Sequence, residues 1–407
     1  MARRNGAGVN VLEGFRVVDT SAYVYGPSAG GVLAHWGADV IKVEPARGFD
    51  PIRRSTEPGK GGITYQHYNR SKRAIAVDLK AAEGQAILAR LVERADVFLT
   101  SALPRVRRSM HIDVDDVRAV NPSIVYAKVT GQGPAGPDAE RPGFDLATWW
   151  GRGGLAGEAM RVAGIDEPTG MVGHGDGISG LVLAGGICAA LLHRAMTGEA
   201  LTVDGSLLGT ALWFNAPAVI ASNIPRLPSS WPNTHLERAD SPATSNTYRT
   251  KDGRWIQLVF FTDSDDYWRD LCEHLGRPEL AASPELATTE ARARNRPAAI
   301  AALESAFADY TLAELKTVLD GVRATWAPIQ LPSEMEDDTQ VQANGYLQKT
   351  ETPIGTLPLP VPALLFDGDG GVPGRAPDYG QHTDAVLSDL GYPPEQIARY
   401  RESGVIA

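Results

Sequence analysis

Short β-branched runs alternate along this chain with longer stretches whose apolar residues recur at helical spacing. FRVVDTS, residues 15–21, ends in turn formers and predicts a buried strand. GPSAGGVLAHWG then predicts a helix closed by Gly37, and ADVIKVE the next strand. A strand, helix and strand within about thirty residues form a βαβ unit. RAIAVDL, DVFLTS and SIVYAKVTG predict further strands. Between them, AAEGQAILARLVERA places Ala86, Leu88, Leu91 and Val92 on one helical face, and DVDDVRAVNP separates the last two strands. This alternation predicts a doubly wound, mostly parallel sheet.

The pattern changes in the second half. LVLAGGICAALL, residues 181–192, is continuously apolar but short for a bilayer span, and predicts a buried helix. Beyond Phe214 the stretch ASNIPRLPSSWPNTHLERADSPATSN reads as a linker. TYRTKDGRWIQLVF predicts a hairpin turning at Lys251-Asp252-Gly253, and TLAELKTVL a helix opened by a capping box of Thr311 and Glu314. WAPIQ is a candidate strand, and the proline-rich TPIGTLPLPVPALLF reads as a second linker. A smaller α+β domain is therefore expected between the linkers. The last segment, HTDAVLSDLGY, offers Thr383 as a helix cap and Val386, Leu387 and Leu390 as a face for docking onto the first domain.

Composition narrows the class. The 407 residues carry a net charge of −10, which argues against a general nucleic-acid binder but leaves room for one phosphorylated ligand at a local basic cluster. Two such clusters exist, RSKR (residues 70–73) and RVRR (residues 105–108). Two cysteines, Cys188 and Cys272, form neither a disulfide framework nor a metal-ligand pattern, and a reducing cytosol is expected. The opening MARRNGAGVNVLEG lacks the apolar core of a signal peptide. No membrane partner and no metal are expected.

GDGISG, residues 175–180, matches the G-x-G-x-x-G spacing of a dinucleotide loop, but Asp176 would repel a pyrophosphate and no strong strand precedes it. Two other readings fit the aspartate. It is a favoured N-cap for the apolar helix that follows. Alternatively, the flanking Gly175 and Gly177 let a substrate approach a carboxylate nucleophile at a helix start.

The wider sequence resembles the family III CoA-transferases, which include formyl-CoA transferase and carnitine CoA-transferase. The likeness runs through FRVVDTSAYVYGPSAGGVLAHWGADVIKVEPARGFDPIRR, YNRSKRAIAVDLKAAEGQAILARLVERADVFL, NPSIVYAKVTGQGPAGPDAERPGFD, GDGISGLVLAGGICAALLHRAMTGEALTVDGSLLGTAL and GQHTDAVLSDLGY, in order and over nearly the whole chain. It implies an α/β fold with a Rossmann-like, CoA-binding large domain (residues 1–222 and 340–407). Linkers and a small α+β domain (residues 223–339) complete it, in an interlocked, ring-like homodimer. It maps the family's catalytic aspartate onto Asp176 and the turn after the helix onto Thr197-Gly198. It further implies attack of Asp176 on an acyl-CoA, then an aspartyl anhydride and an aspartyl-CoA thioester, with CoA as substrate and no permanently bound cofactor. The CoA phosphates are expected at Arg73, Arg105 and Arg108, with Lys42, Arg47 and Lys72 as further contacts.

Departures from formyl-CoA transferase bear on the substrate. Val24, beside Tyr25, stands where that enzyme has a glutamine; TSALPR replaces ENFRPG, and no run of glycines occurs near LVFFTDSDDYW. GFDLATWWGRGG points instead to larger 2-hydroxyacyl or aryl acids, contacted by Phe144, Trp149 and Trp150, with His174, Gly175 and Gly177 beside the nucleophile. An α-methylacyl-CoA racemase is the alternative on the same fold, but it needs a proton-carrying histidine where this chain has Phe144. A silent CoA-binding protein would not need Asp176, and a dehydrogenase would need the phosphate loop that Asp176 opposes.

Overall fold

The computed structural model describes residues 10–53, 61–168, 170–224, 238–260 and 264–407. The chain forms two compact units: Met1–Val219 with Asp338–Ala407, and Ile220–Asp337.

The larger unit opens with β1 (Arg16–Asp19), α1 (Tyr25–His35), β2 (Asp39–Glu44), α2 (Ile63–Tyr68), β3 (Arg73–Ala76), α3 (Ala82–Glu93) and β4 (Val97–Thr100). It continues through α4 (Pro104–Ser109), α5 (Val114–Val120), β5 (Val125–Thr130), a π-helical turn at Leu146–Arg152, α6 (Leu155–Ala163), α7 (His174–Thr197), β6 (Thr202–Ser206) and α8 (Leu207–Phe214). Six parallel strands lie in the order β3-β2-β1-β4-β5-β6, the doubly wound arrangement whose direction reverses between β1 and β4. Side chains alternate between two cores, as strand geometry requires. Val17, Val40, Val97 and Val125 enter the core shared with α1 and α7. Val18, Ile41, Phe98 and Tyr126 enter the opposite core, with α3 and α5.

Helix α9 (Ala216–Ser222) spans the boundary between units. The smaller unit holds an antiparallel sheet of β7 (Ser245–Arg249), β8 (Trp255–Val259) and β9 (Thr325–Pro328). Its helices are α10 (Asp265–His274), α11 (Pro278–Ala282), α12 (Thr289–Arg294), α13 (Arg296–Ala308) and α14 (Leu312–Val318). The expected capping box opens α14: the Thr311 N–H donates to Glu314 Oε2 at 2.7 Å, and the Glu314 N–H to Thr311 Oγ1 at 3.3 Å. Half of the first linker, residues 225–237, lies outside the described residues, as do residues 261–263 within LVFFTDSDDYW.

The chain then returns to the larger unit through α15 (Thr339–Ala343), β10 (Leu347–Thr352), β11 (Gly355–Pro360), α16 (Thr383–Asp389) and α17 (Pro394–Glu402). Val386, Leu387, Leu390 and Ile397 fill the second core. Three expectations need correction here. The proline-rich stretch contains a strand, because Pro358 and Pro360 are two residues apart in a two-stranded ribbon and leave outward positions without an N–H. Thr383 is not a cap: it is the first residue of α16, and its hydroxyl accepts from the Ala76 N–H on edge strand β3 at 3.2 Å. Finally, α7 runs 24 residues, long and apolar enough by length and composition to cross a bilayer. It is a core helix here, since Leu183, Ala184, Ile187, Ala190 and Leu191 are buried in the core shared with α1.

Candidate active site

A cavity of about 280 Å³ opens where the sheet order reverses, at the carboxyl ends of β1, β4 and β5. Residues 22–25 supply one wall, Ser101 and Leu103 a second, residues 129–131 a third, and residues 142–144, Asp176 and Leu207 complete it. Ligands of open α/β folds bind at this position. The wall after β1 is held under tension and pinned. Tyr23 has a φ of 65°, and its N–H donates to Asp50 Oδ1 at 3.0 Å. The Ala22 N–H donates to Ser101 Oγ at 2.9 Å, and Lys42 Nζ to the Ser21 carbonyl at 2.9 Å.

Asp176 reaches this cavity from the first turn of α7. Gly173, in the left-handed region at φ 81°, precedes the helix, so Asp176 is its third residue and not its cap. The cap comes from Asp145. Its Oδ2 accepts from the Gly173 N–H at 2.9 Å, and its Oδ1 from the Asp176 N–H at 3.0 Å. GDGISG is therefore helix, and the dinucleotide reading falls with the loop it required. Its first two glycines admit the protein's own side chains. A Cβ at Gly175 would stand 2.3 Å from the Trp149 ring, and one at Gly177 3.0 Å from the Tyr68 hydroxyl. For Gly175 the expectation that it clears space for a substrate is corrected, since the space beside it is filled by the Trp149 ring, whereas Gly177 borders a second cavity of about 210 Å³.

Electrostatics set Asp176 apart. Burial first, then the charge of Asp145, push its carboxyl up to about 7. Asp176 remains partly exposed toward the cavity, whereas Asp145 is buried. The arrangement gives a desolvated carboxylate at the amino end of a long helix, ready to attack an electrophilic carbon.

The other expected residues divide. Val24, Tyr25 and Phe144 line the cavity with Asp176, and Phe144 meets Tyr23 edge-to-face at 5.2 Å. Trp149 is core, 2% exposed, and Trp150 stacks on it at 6.1 Å; neither lines the cavity. His174 is exposed on the first turn of α7 and also lies off the cavity wall. Lys42 and Lys72 cannot serve a phosphate as placed. Lys42 Nζ is fully buried against Asp50 at 2.8 Å. Lys72 Nζ is buried on Asp19 at 2.8 Å and also donates to the Pro27 carbonyl and Asn69. Both ammoniums are consumed beneath the loop and helix that frame the site. Arg73 is taken up by Asp39 at 2.6 Å and Asp389 at 3.1 Å. Arg47 is exposed. Arg105 and Arg108 remain exposed on α4, one turn past the cavity-lining Leu103, where Glu140 bridges them. Asp145, Tyr23 and Tyr68 were missed. The sequence signal for Asp145 is the GFD motif itself, in which the carboxylate directly follows Phe144.

The class follows from kinship: the relatives this fold and sequence match are named as transferases of CoA. The chain matches CoA-transferase family III over residues 12–383, and it belongs to that family. It is 29% identical to the (R)-2-hydroxy-4-methylpentanoate CoA-transferase of Clostridioides difficile, covering 97% of this chain and 99% of that one. It is 28% identical to the cinnamoyl-CoA:phenyllactate CoA-transferase of Clostridium sporogenes, over 95% of each. A solved CaiB/BaiF family protein from Brucella suis superposes with a TM-score of 0.77 at 29% identity, covering 93% of this chain and 99% of that one.

Proposed function

We propose that the protein moves CoA from an acyl-CoA thioester to a free carboxylic acid through covalent intermediates on Asp176. The observation that carries this reading is the Asp176 carboxylate on the wall of the switch-point cavity, with no histidine among the residues lining that cavity. Asp176 attacks the thioester carbonyl; the C–S bond breaks, leaving a mixed anhydride and CoA thiolate. The thiolate attacks the aspartyl carbon and expels the donor acid, giving an aspartyl-CoA thioester. The acceptor carboxylate then reverses both steps, so the thioester energy is retained. Desolvation of the site limits hydrolysis of the anhydride. A racemase would need a proton carrier where the Phe144 ring lies.

Tyr23, Val24, Leu103, Val129, Phe144 and Leu207 make the wall largely apolar. Branched or aromatic acyl chains suit it, and the names of the 2-hydroxy-4-methylpentanoate and phenyllactate enzymes agree with that class. Arg105 and Arg108 are the cations proposed to meet the CoA phosphates, and a homodimer the proposed assembly. The test is to incubate the protein with an acyl-CoA and no acceptor, then add hydroxylamine. A hydroxamate at Asp176, seen as a mass shift on its peptide, is expected. Transfer at wild-type rate by Asp176→Ala would refute the covalent role.

A further inference from the structure

Six lysine and arginine side chains are buried among the described residues, and five of them sit on a carboxylate. Lys42 meets Asp50, Arg53 meets Glu44, Lys72 meets Asp19, Arg107 meets Asp113 and Arg292 meets Asp265. Arg70 is the exception. It is 6% exposed, and no acid among the described residues pairs with it. Its Nε donates to the His67 carbonyl at 2.7 Å and its Nη1 to the Pro360 carbonyl, while Nη2 lies 2.6 Å from His67 Nδ1. Burial, then the Arg70 charge, bring the His67 imidazole down to about 3, so that ring is neutral. Burial lowers Arg70 itself only to about 10, so the guanidinium stays charged at neutral pH. It is fixed in place entirely by uncharged acceptors. A buried cation left in this state is unfavourable until something brings it a negative charge.

Arg70 has room for such a group. With His67 and Pro360 it lines the second cavity, of about 210 Å³, whose apolar wall includes Val32, Leu181 and Val361. This cavity lies within the larger unit and shares no lining residue with the cavity of Asp176. The two flank the first turns of α7, where Asp176 lines one and the next residue, Gly177, lines the other. Their charges are opposite. The described residues lining the first include the Asp176 carboxylate and no cation; those lining the second include Arg70 and no acid. An uncharged thioester carbonyl suits the first. A free carboxylic acid is an anion at neutral pH, repelled by Asp176 and attracted to the guanidinium.

We propose that the Arg70 cavity is the binding site for the carboxylate of the free acid, with a short branched chain against its apolar wall. The inference rests on the proposed transfer reaction for the choice of ligand. The guanidinium has five N–H groups, and those not given to His67 and Pro360 form charge-assisted hydrogen bonds to the carboxylate. Binding there keeps the acid beside the turn that carries Asp176 and apart from its charge. Thioester and acid are thereby sorted by charge into separate cavities.

Calorimetric titration with 4-methylpentanoate, in the absence of CoA, reads the site without turnover. Binding is expected in the wild type and in Asp176→Ala, and the uncharged 4-methylpentanamide should not bind. Arg70→Gln should weaken binding roughly 10–100-fold, and Arg70→Lys, which keeps the charge, should recover part of that loss. Because Arg70→Gln also breaks the contacts to His67 and Pro360, Ala363→Trp gives an independent test. It leaves Arg70 in place and fills the cavity from an exposed position on its wall, and it too should abolish binding. In steady state Arg70→Gln should raise KM for the acid by a similar factor and leave KM for acyl-CoA unchanged, a split that general unfolding would not produce. Absence of acid binding by the wild type, equal binding of the amide, loss of binding in Asp176→Ala, or undiminished binding in Arg70→Gln and Ala363→Trp would each overturn the inference. If the wild-type protein forms no hydroxamate at Asp176, the covalent reading fails instead, and the titrations still decide whether Arg70 holds a carboxylate.

Discussion

Replacing Asp176 with asparagine should abolish transfer and yet stabilise the protein at alkaline pH. Asparagine keeps the shape of the side chain and the backbone N–H that donates to Asp145 at 3.0 Å. What it removes is a charge that folding places badly. The Asp176 carboxyl rises from the ordinary aspartate value of 3.8 to about 7, through burial and then Asp145. A group whose pKa is higher folded than unfolded costs nothing below the unfolded value. Its cost grows as pH climbs between the two values and is complete above the folded one. The difference, about 7 minus 3.8, is roughly three units. At about 1.36 kcal/mol per unit this sets a ceiling near ~4 kcal/mol. Cavity water screens the partly exposed group, so about 1–3 kcal/mol is the working expectation. Urea unfolding of both proteins, at equal concentration, should show near-equal stability around pH 4 and an advantage for Asp176→Asn that grows to its full size by about pH 8. An asparagine variant no more stable than wild type at the higher pH would refute the claim that Asp176 sits in an unfavourable, desolvated place.

Asp145, the arginines and α8 each give a further test. Asp145→Asn removes the charge that helps raise Asp176, so the acid limb of kcat/KM, expected near pH 7 in the wild type, should move to lower pH. That variant should also lose about 1 kcal/mol of stability as the cap over Gly173 and Asp176 weakens, which calorimetry would register. Arg108→Gln should raise KM for acyl-CoA several-fold at constant kcat, whereas Arg73→Gln, which breaks contacts to Asp39 and Asp389, should leave KM alone; steady-state kinetics on the pair separates a phosphate contact from a structural ion pair. Light scattering should give about 87 kDa, twice 43.5 kDa, because Trp213 at 84% and Phe214 at 54% exposure leave α8 with an apolar face for a second copy to cover; a stable, active monomer would refute the homodimer.

Local pattern carried most of the larger unit's architecture. The β-branched runs and the helical spacing between them determined five of the six parallel strands, because those strands are largely buried on both faces, whereas β6 (TVDGS) is only partly buried and carries no such run. The capping box at Thr311 is a contact between residues three apart, and such contacts are legible directly. Asp176 stood out because a charge between glycines before an apolar helix is locally odd. What the residues around it do was decided only by tertiary structure, because partners distant in the chain occupy the same space. Asp145 caps a helix 28 residues further on. Trp149 is spent under Gly175 rather than on a substrate. Lys42 and Lys72, lysines on an acidic chain, look available until Asp50 and Asp19 bury them. A sequence counts charges, but whether a charge is free for a ligand depends on which opposite charge the fold brings within hydrogen-bonding distance, and at this site the fold pairs the lysines and leaves Asp176 uncompensated.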